Sequence, residues 1–399
     1  MNKISRFKNA DTLLTLGIVL IIIILCLPFG SSKGDPNSSE EQWEQGQTVR
    51  GKVLDISRNT EKEQMVPDWG DGYSIIYQDV KIKTLAGKHK GETIIAENVI
   101  DERFVYKLVV EVGDEVLIYV NEDEEGNITE AFVAEIYRQK YLGYLVALFL
   151  IVLLVLGRVK GLKTIITLAL TGLAVLKILL PGLLAGYDPI FLTVLVCAGV
   201  TACTLFLISG VNKKTIAAIL GTTGGVLAAG IIAFIFGSLT KLSGLGEEEA
   251  QMLAFISHGN GFDFPGLLFA GIIIGSLGAV MDVGMSISSA LYEMEQIKPE
   301  ISTRELLSAG MNVGRDIMGT MSNTLILAYT GASLPLLLLF MANAIPVEQF
   351  LNWDMISSEV VRTLAGSIGL ILTIPLTTLV SAVLRNRKGT TRDNQETVY

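Results

Sequence analysis

Residues Ala279 to Gly331 read AVMDVGMSISSALYEMEQIKPEISTRELLSAGMNVGRDIMGTMSNTLILAYTG. An apolar helix is expected to end in Asp282. An amphipathic segment follows it, and a second apolar helix opens with Asn312, Arg315 and Asp316. Ionisable and amide groups are costly in hydrocarbon, so their placement at two membrane helix ends calls for a reason. The stretch sets the fold class as a mainly α-helical polytopic membrane protein.

Working outward, further apolar runs repeat the pattern. They lie at Leu13–Leu27, Tyr141–Gly157, Leu162–Leu184, Pro189–Ser209, Thr215–Leu239, Phe264–Asp282, Ile317–Met341 and Val361–Leu384. Crossing a bilayer takes about 20 helical residues, so about eight spans are expected. One set of connections carries Arg158, Lys160, Lys163, Lys213, Lys214, Lys298, Arg304, Arg385, Arg387, Lys388 and Arg392. The alternate set carries Asp188, Glu247, Glu248, Glu249, Glu348, Asp354 and Glu359 against Lys241 and Arg362. The positive-inside rule then puts both termini in the cytoplasm and residues 31–140 outside. Half of the residues are hydrophobic, only 18% are charged, and 40 are glycine, as close helix packing in lipid requires.

Residues 1–30 read as an N-terminal membrane anchor, with a cleaved signal peptide as the alternative. Residues 31–140 are a different material. Between Ser31 and Lys140 there are 23 acids and 13 bases, a difference of -10 that covers the whole net charge of -9. Nucleic acid is an unsuitable partner for such a surface. Short β-branched and aromatic runs at Thr48–Val53, Tyr73–Thr84, Glu92–Val99, Glu115–Tyr119 and Ile128–Ile136 predict a small all-β domain, a barrel or sandwich of OB-like type. Asn121, Asp123, Glu125 and Gly126 resemble half a calcium loop, but Phe132 stands where a closing glutamate belongs, so a hairpin turn is expected. Residues 141–385 form the helical membrane domain. Within it, 283–315 is expected as a cytoplasmic amphipathic segment, a surface for a cytoplasmic partner. Residues 386–399 form a basic, polar tail.

The candidate functional residues gather around the opening stretch. Ser286 and Ser289 share a helical face with Asp282. Asn312, Asp316, Thr320 and Asn323 fall at i, i+4, i+8 and i+11, one polar stripe rising into the membrane. Arg315 is expected on another side, paired with Asp282 or with lipid phosphate. A stripe of this kind faces other helices or a watery path; interhelical hydrogen bonding is the plainer reading. Lys177 lies in an apolar run and either snorkels to the interface or serves an ion path. His258 and Asp263 sit in an external loop, either as a cation site or as solvated groups. Gly221, Gly224, Gly225 and Gly230, and Gly266, Gly271, Gly275 and Gly278, predict close helix packing.

No cofactor or metal centre is expected. The chain carries two histidines and three cysteines, the latter all in apolar runs. It contains no HExxH, no GxxxxGK[ST] and no GxSxG, so nothing in it asks for an enzyme.

The chain resembles the YibE/F-like family of bacterial membrane proteins. The resemblance rests on residues 275–283 (GSLGAVMDV), 286–291 (SISSAL), 310–321 (GMNVGRDIMGTM) and 323–329 (NTLILAY). It implies a bacterial cytoplasmic membrane location and a soluble segment after the first span, and it brings no activity or ligand with it. The expectation is therefore a transporter or permease for an unidentified small solute or ion, with Asp282 and the polar stripe on the inner part of its path. The alternative is a sensor or assembly platform that binds through the external domain and docks a partner at 283–315. The substrate and the oligomeric state are not legible in the sequence.

Overall fold

The computed structural model describes residues 47–62, 64–66, 73–123, 125–256, 262–343 and 345–384. The expected first span lies outside them. The described chain divides into two compact units, one ending at Val152 and the other beginning at Leu153.

The first unit is a barrel. Its strands are β1 (Gln47–Arg58), β2 (Gln64–Val66), β3 (Tyr73–Thr84), β4 (Thr93–Asp101), β5 (Glu115–Glu122) and β6 (Ile128–Ile136). Five of them close in the order β1-β5-β6-β4-β3 and back to β1, with β2 added at the free edge of β3. All pairings are antiparallel except β4 with β6. The alternation read from Val80, Ile82 and Thr84 is real: those three are buried, with Val49, Val53, Val116, Ile118 and Val120 filling the same interior. Closure depends on Gly51, which pairs with Thr84 of β3 and Val116 of β5. A Cβ there would strike the Ile82 side chain and come within 2.6 Å of Ile118 Cδ1. The turn after β5 is a hairpin, as expected: Asn127 N–H donates to Asp123 Oδ1 at 2.7 Å, and Gly126 takes φ +83°.

The helices are α1 (Gln139–Ala174), α2 (Pro189–Ser209), α3 (Lys213–Leu239), α4 (Glu248–Ile256), α5 (Phe264–Ile297), α6 (Thr303–Ala332), α7 (Leu334–Ala342), α8 (Val347–Phe350) and α9 (Asp354–Val383). A π turn at Val175–Leu179 and a last turn at Leu180–Leu184 extend α1. Among the described residues five helices are long and apolar enough to cross a membrane, or six when α6 and α7, bent by 59°, count as one broken span. The eight expected spans are therefore not all separate helices here. The two runs expected after the barrel form one element of 46 residues, broken at Arg158, whose φ of 47° and ψ of −123° leave the helical region. Beyond the break, Gly161 packs on the Leu153 backbone so closely that a Cβ would lie 2.9 Å from its carbonyl carbon. The α6–α7 bend falls at Ser333, just before Pro335, which lacks the N–H that a continuous helix would use.

A second difference concerns 283–315. The segment is not a separate amphipathic helix. Helix α5 runs on past Asp282 to Ile297, and α6 begins at Thr303 after a short turn. The physical reason is packing. Val283, Gly284, Ile287, Ser288 and Leu291 are buried in the bundle, so tertiary contacts carry the helix beyond the point where its sequence turns polar. Ser302 caps α6 and accepts from Glu305 N–H, while Glu305 accepts from Ser302 N–H in return.

Helices α3, α5, α6 and α9 share one core, held by glycines set against threonines. A Cβ on Gly221 would lie 2.8 Å from Thr377 Cα, and one on Gly225 would lie 2.9 Å from Gly369 O while striking Thr373 Oγ1. Gly284 of α5 faces Thr222 Oγ1 at 2.6 Å, and Gly310 of α6 faces Thr378 Cγ2 at 2.6 Å, each distance taken from the added Cβ. Such small–small contacts let helix backbones approach closely where lipid offers no hydrophobic drive.

Candidate functional site

Depth along the bundle is fixed by side-chain contacts. Lys213 Nζ donates to Leu384 O at 2.8 Å, tying the start of α3 to the end of α9. Lys214 Nζ stands 5.7 Å above the ring of Tyr292, so Tyr292 of α5 is level with the same end. Asp282 is ten residues before Tyr292, about 15 Å further in. On α6, Gly314 packs against Ile374, itself ten residues from Leu384, and Asp316 is two residues beyond Gly314. The two carboxylates therefore lie about 15 Å and about 18 Å from that end of the bundle. Sequence reading put Asp282 at a helix end, because it could not see the packing that prolongs α5.

Both acids are exposed on the surface of the chain. Between Phe264 and Tyr292 of α5 the exposed positions are Gly271, Gly275, Gly278, Asp282 and Ser286, with Ser289 partly covered. Their spacing of four, three, four and four residues marks one straight face. On α6 the exposed positions include Asn312, Arg315, Asp316, Gly319, Thr320 and Asn323. The opposite side of α6 carries the buried Leu306, Gly310, Gly314 and Leu325. Arg315 does not point away from the stripe: Nη1 donates to Asn312 Oδ1 at 3.1 Å. Thr320 Oγ1 donates to Ile317 O at 3.0 Å, the local bond a helical threonine makes. Asp282 and Asp316 have no hydrogen-bond or ion-pair partner among the described residues, so of the two partners considered for Arg315, Asp282 is not paired with it. At the far end of this face, the Tyr329 hydroxyl lies over Gly275, 2.5 Å from where a Cβ would be.

The other candidates stand apart. Lys177 is exposed in the π turn that extends α1. Asp263 caps α5, accepting from Gly266 N–H at 2.9 Å. His258 lies outside the described residues. Among the described residues no group of histidine, cysteine and carboxylate is arranged to hold a metal ion.

Sequence reading missed one cluster in the barrel. His89 Nδ1 lies 3.0 Å from Glu92 Oε2, and His89 Nε2 lies 3.0 Å from Glu122 Oε1. Lys88 Nζ also donates to Glu122, at 3.0 Å. The bonds from Lys88 and then His89 hold the Glu122 carboxyl below the usual carboxylate range. His89 and Glu122 are 33 residues apart, so only the barrel's closure reveals the pairing. At the head of α6, the Ser302 backbone N–H, with Lys298 and the Ser302 side chain, pushes Glu305 down to about 2.

Comparison with known proteins agrees with this division. The family model described as YibE/F family N-terminal domain matches residues 44–135, which is the barrel. The model described as YibE/F-like protein matches residues 145–387, which takes in the helices. No curated protein and no solved structure matches the chain. With more than half of its length covered, the chain belongs to the YibE/F-like family.

Proposed function

We propose that this protein is a permease of the bacterial cytoplasmic membrane that moves a small solute or ion along the open face of α5 and α6. The observation that carries this is the pair of carboxylates, Asp282 and Asp316, without a partner among the described residues and about 15–18 Å inside the bundle, on a face that also exposes Gly278, Ser286, Asn312, Arg315, Thr320 and Asn323. A face of that chemistry suits water and a polar solute. Protonation of either acid is the coupling step in this reading.

The topology belongs to the same proposal. It has eight spans: the first at Leu13–Leu27, two from the α1 element divided at Arg158, then α2, α3, α5, the bent α6–α7 pair and α9. The bundle end marked by Lys213, Lys214, Lys298 and Arg304 faces the cytoplasm, as do both termini, and the barrel lies outside.

The test is flux into proteoliposomes under a pH gradient, across a panel of cations, anions and small solutes. The native chain is expected to carry at least one of them, and Asp316→Asn to lose that flux while still inserting and folding. Flux that survives both Asp282→Asn and Asp316→Asn removes the proposal.

A second reading rests on the barrel. Its strand order, with a parallel pair between its third and fifth long strands, is the OB-type order, and the loop after β4 exposes Phe104, Val105 and Tyr106. A sensor or assembly platform would bind its ligand or partner there. In that case removal of residues 31–140 ends function while Asp316→Asn leaves it intact.

A further inference from the structure

We infer that a second copy of this chain covers the open face of α5 and α6, so that the polar path lies between two chains. This deepens the proposed function and rests on its placement of these helices in a bilayer, not on transport itself.

The first argument is chemical. Exposed residues on α2 and α3 include Phe191, Leu195, Leu220, Leu227, Ile231 and Phe234, bulky apolar side chains that lipid accepts. On α5, exposed Gly271 to Ser286 spans about 22 Å of helix without one large apolar side chain on its straight face. Lipid is a poor neighbour for Asp282, Asp316, Arg315 and Asn323. A Cβ added at Gly271, Gly278 or Gly319 meets nothing within 4 Å, so these glycines serve no contact among the described residues. Open glycines leave room for the backbone of another helix.

The second argument chooses the occupant. Two other apolar segments of this chain are poor occupants by composition. Leu13–Leu27 offers one hydroxyl, at Thr15, and residues 141–157 offer only Tyr141 and Tyr144, close to one end. A second copy brings matching groups at matching depth. Two chains inserted the same way are related by a two-fold axis along the membrane normal, so like depths meet. Arg315 and Asp316 are consecutive and both exposed. A two-fold through this face brings each Arg315 to the depth of the other chain's Asp316, where the pair would relieve the unpartnered Asp316 of each copy.

Association can be read without knowing any substrate. Single cysteines at Ser286, Thr320 and Asn323, with Cys26, Cys197 and Cys203 replaced by alanine, should form disulfide-linked dimers on oxidation in native membranes. Cysteines at Leu227 and Phe234 should not. In the chain with its own cysteines, a fluorescent tag should bleach in two steps in dilute liposomes, and Gly278→Leu should weaken association about tenfold with its folding unchanged. Arg315→Asp should separate the copies, and Arg315→Asp with Asp316→Arg should rejoin them. One-step bleaching of the native chain overturns the inference, as does equal crosslinking at Leu227. A monomer that still carries solute sinks this inference and leaves transport standing. A dimer that carries nothing upholds it and sinks transport.

Discussion

Two sets of glycines in the same bundle do opposite work. On α3, Gly221 and Gly225 are closed in by Thr377, Thr373 and the backbone of α9. On α5, Gly271 and Gly278 face open space. Both sets occur at the same kind of spacing in equally apolar runs, and both read as packing glycines. The difference shows that small residues report only that something comes close. Whether that something lies in the same chain is decided by the fold.

The sharpest way to break this comparison is to add bulk to each set. Gly225→Val forces side-chain atoms into Thr373 and the Gly369 carbonyl, and overpacking of this kind costs about 1–3 kcal/mol or more. Gly271→Ala and Gly278→Ala meet no atom and remove a flexible residue from a helix, a gain of about 0.5–1 kcal/mol for the isolated chain. Thermal melts of the purified protein in detergent should separate the two groups clearly. Equal destabilisation by Gly225→Val and Gly278→Ala would erase the distinction between closed and open glycines.

The same contrast holds for charge. Leu227 on α3 is an exposed apolar residue, so Leu227→Asp should impair insertion by about 2.5–3.5 kcal/mol, the cost of a central acid on a membrane helix. The reverse exchange, Asp282→Leu, should insert as well as the native chain or better, while losing flux. Insertion is read from the membrane fraction of a glycosylation-tagged chain. A loss of insertion in Asp282→Leu would mean that the carboxylate is a structural member of the bundle, not of a path.

These contrasts also mark where sequence reading stops. The five long barrel strands were legible because alternation and turns are local: Tyr73–Thr84 and Ile128–Ile136 were read with the bounds the structure gives. Pro189–Ser209 was equally plain, a charge-free apolar run opened by a capping aspartate and a proline. The ends of α5 and α6 were not, because Val283, Ile287 and Leu291 hold α5 together through contacts with distant helices. The polar positions Asp282, Asn312, Asp316, Thr320 and Asn323 were found by spacing alone. Their exposure, and the turn of Arg315 toward Asn312, depend on which face of α6 meets α9, and no local pattern carries that. The Lys88–His89–Glu122 cluster was invisible for the same reason.

The barrel and the bundle also differ in how they should answer to acid. Glu122 is held below the ordinary carboxylate range by Lys88 and His89, and Asp123 by Asn127. A carboxyl with a lowered value in the fold adds stability above its unfolded value, and that stability is lost as pH falls through its folded value. The barrel should therefore soften below about pH 4.5, the ordinary glutamate value. In the bundle the lowered acid is Glu305 at the head of α6, whose contribution also starts to decline below about 4.5 and is lost only near 2; among the described residues the barrel holds four such acids, Asp101, Glu102, Glu122 and Asp123. Calorimetry of the full chain between about pH 6 and about pH 3 should show the barrel transition moving down first, by a few degrees. Glu122→Gln should start lower at pH 6 and move less, since a neutral amide has no proton to gain. If the Gln variant moves as far as the native barrel, the acid response belongs to other carboxylates, and the cluster around His89 is not what distinguishes the two units.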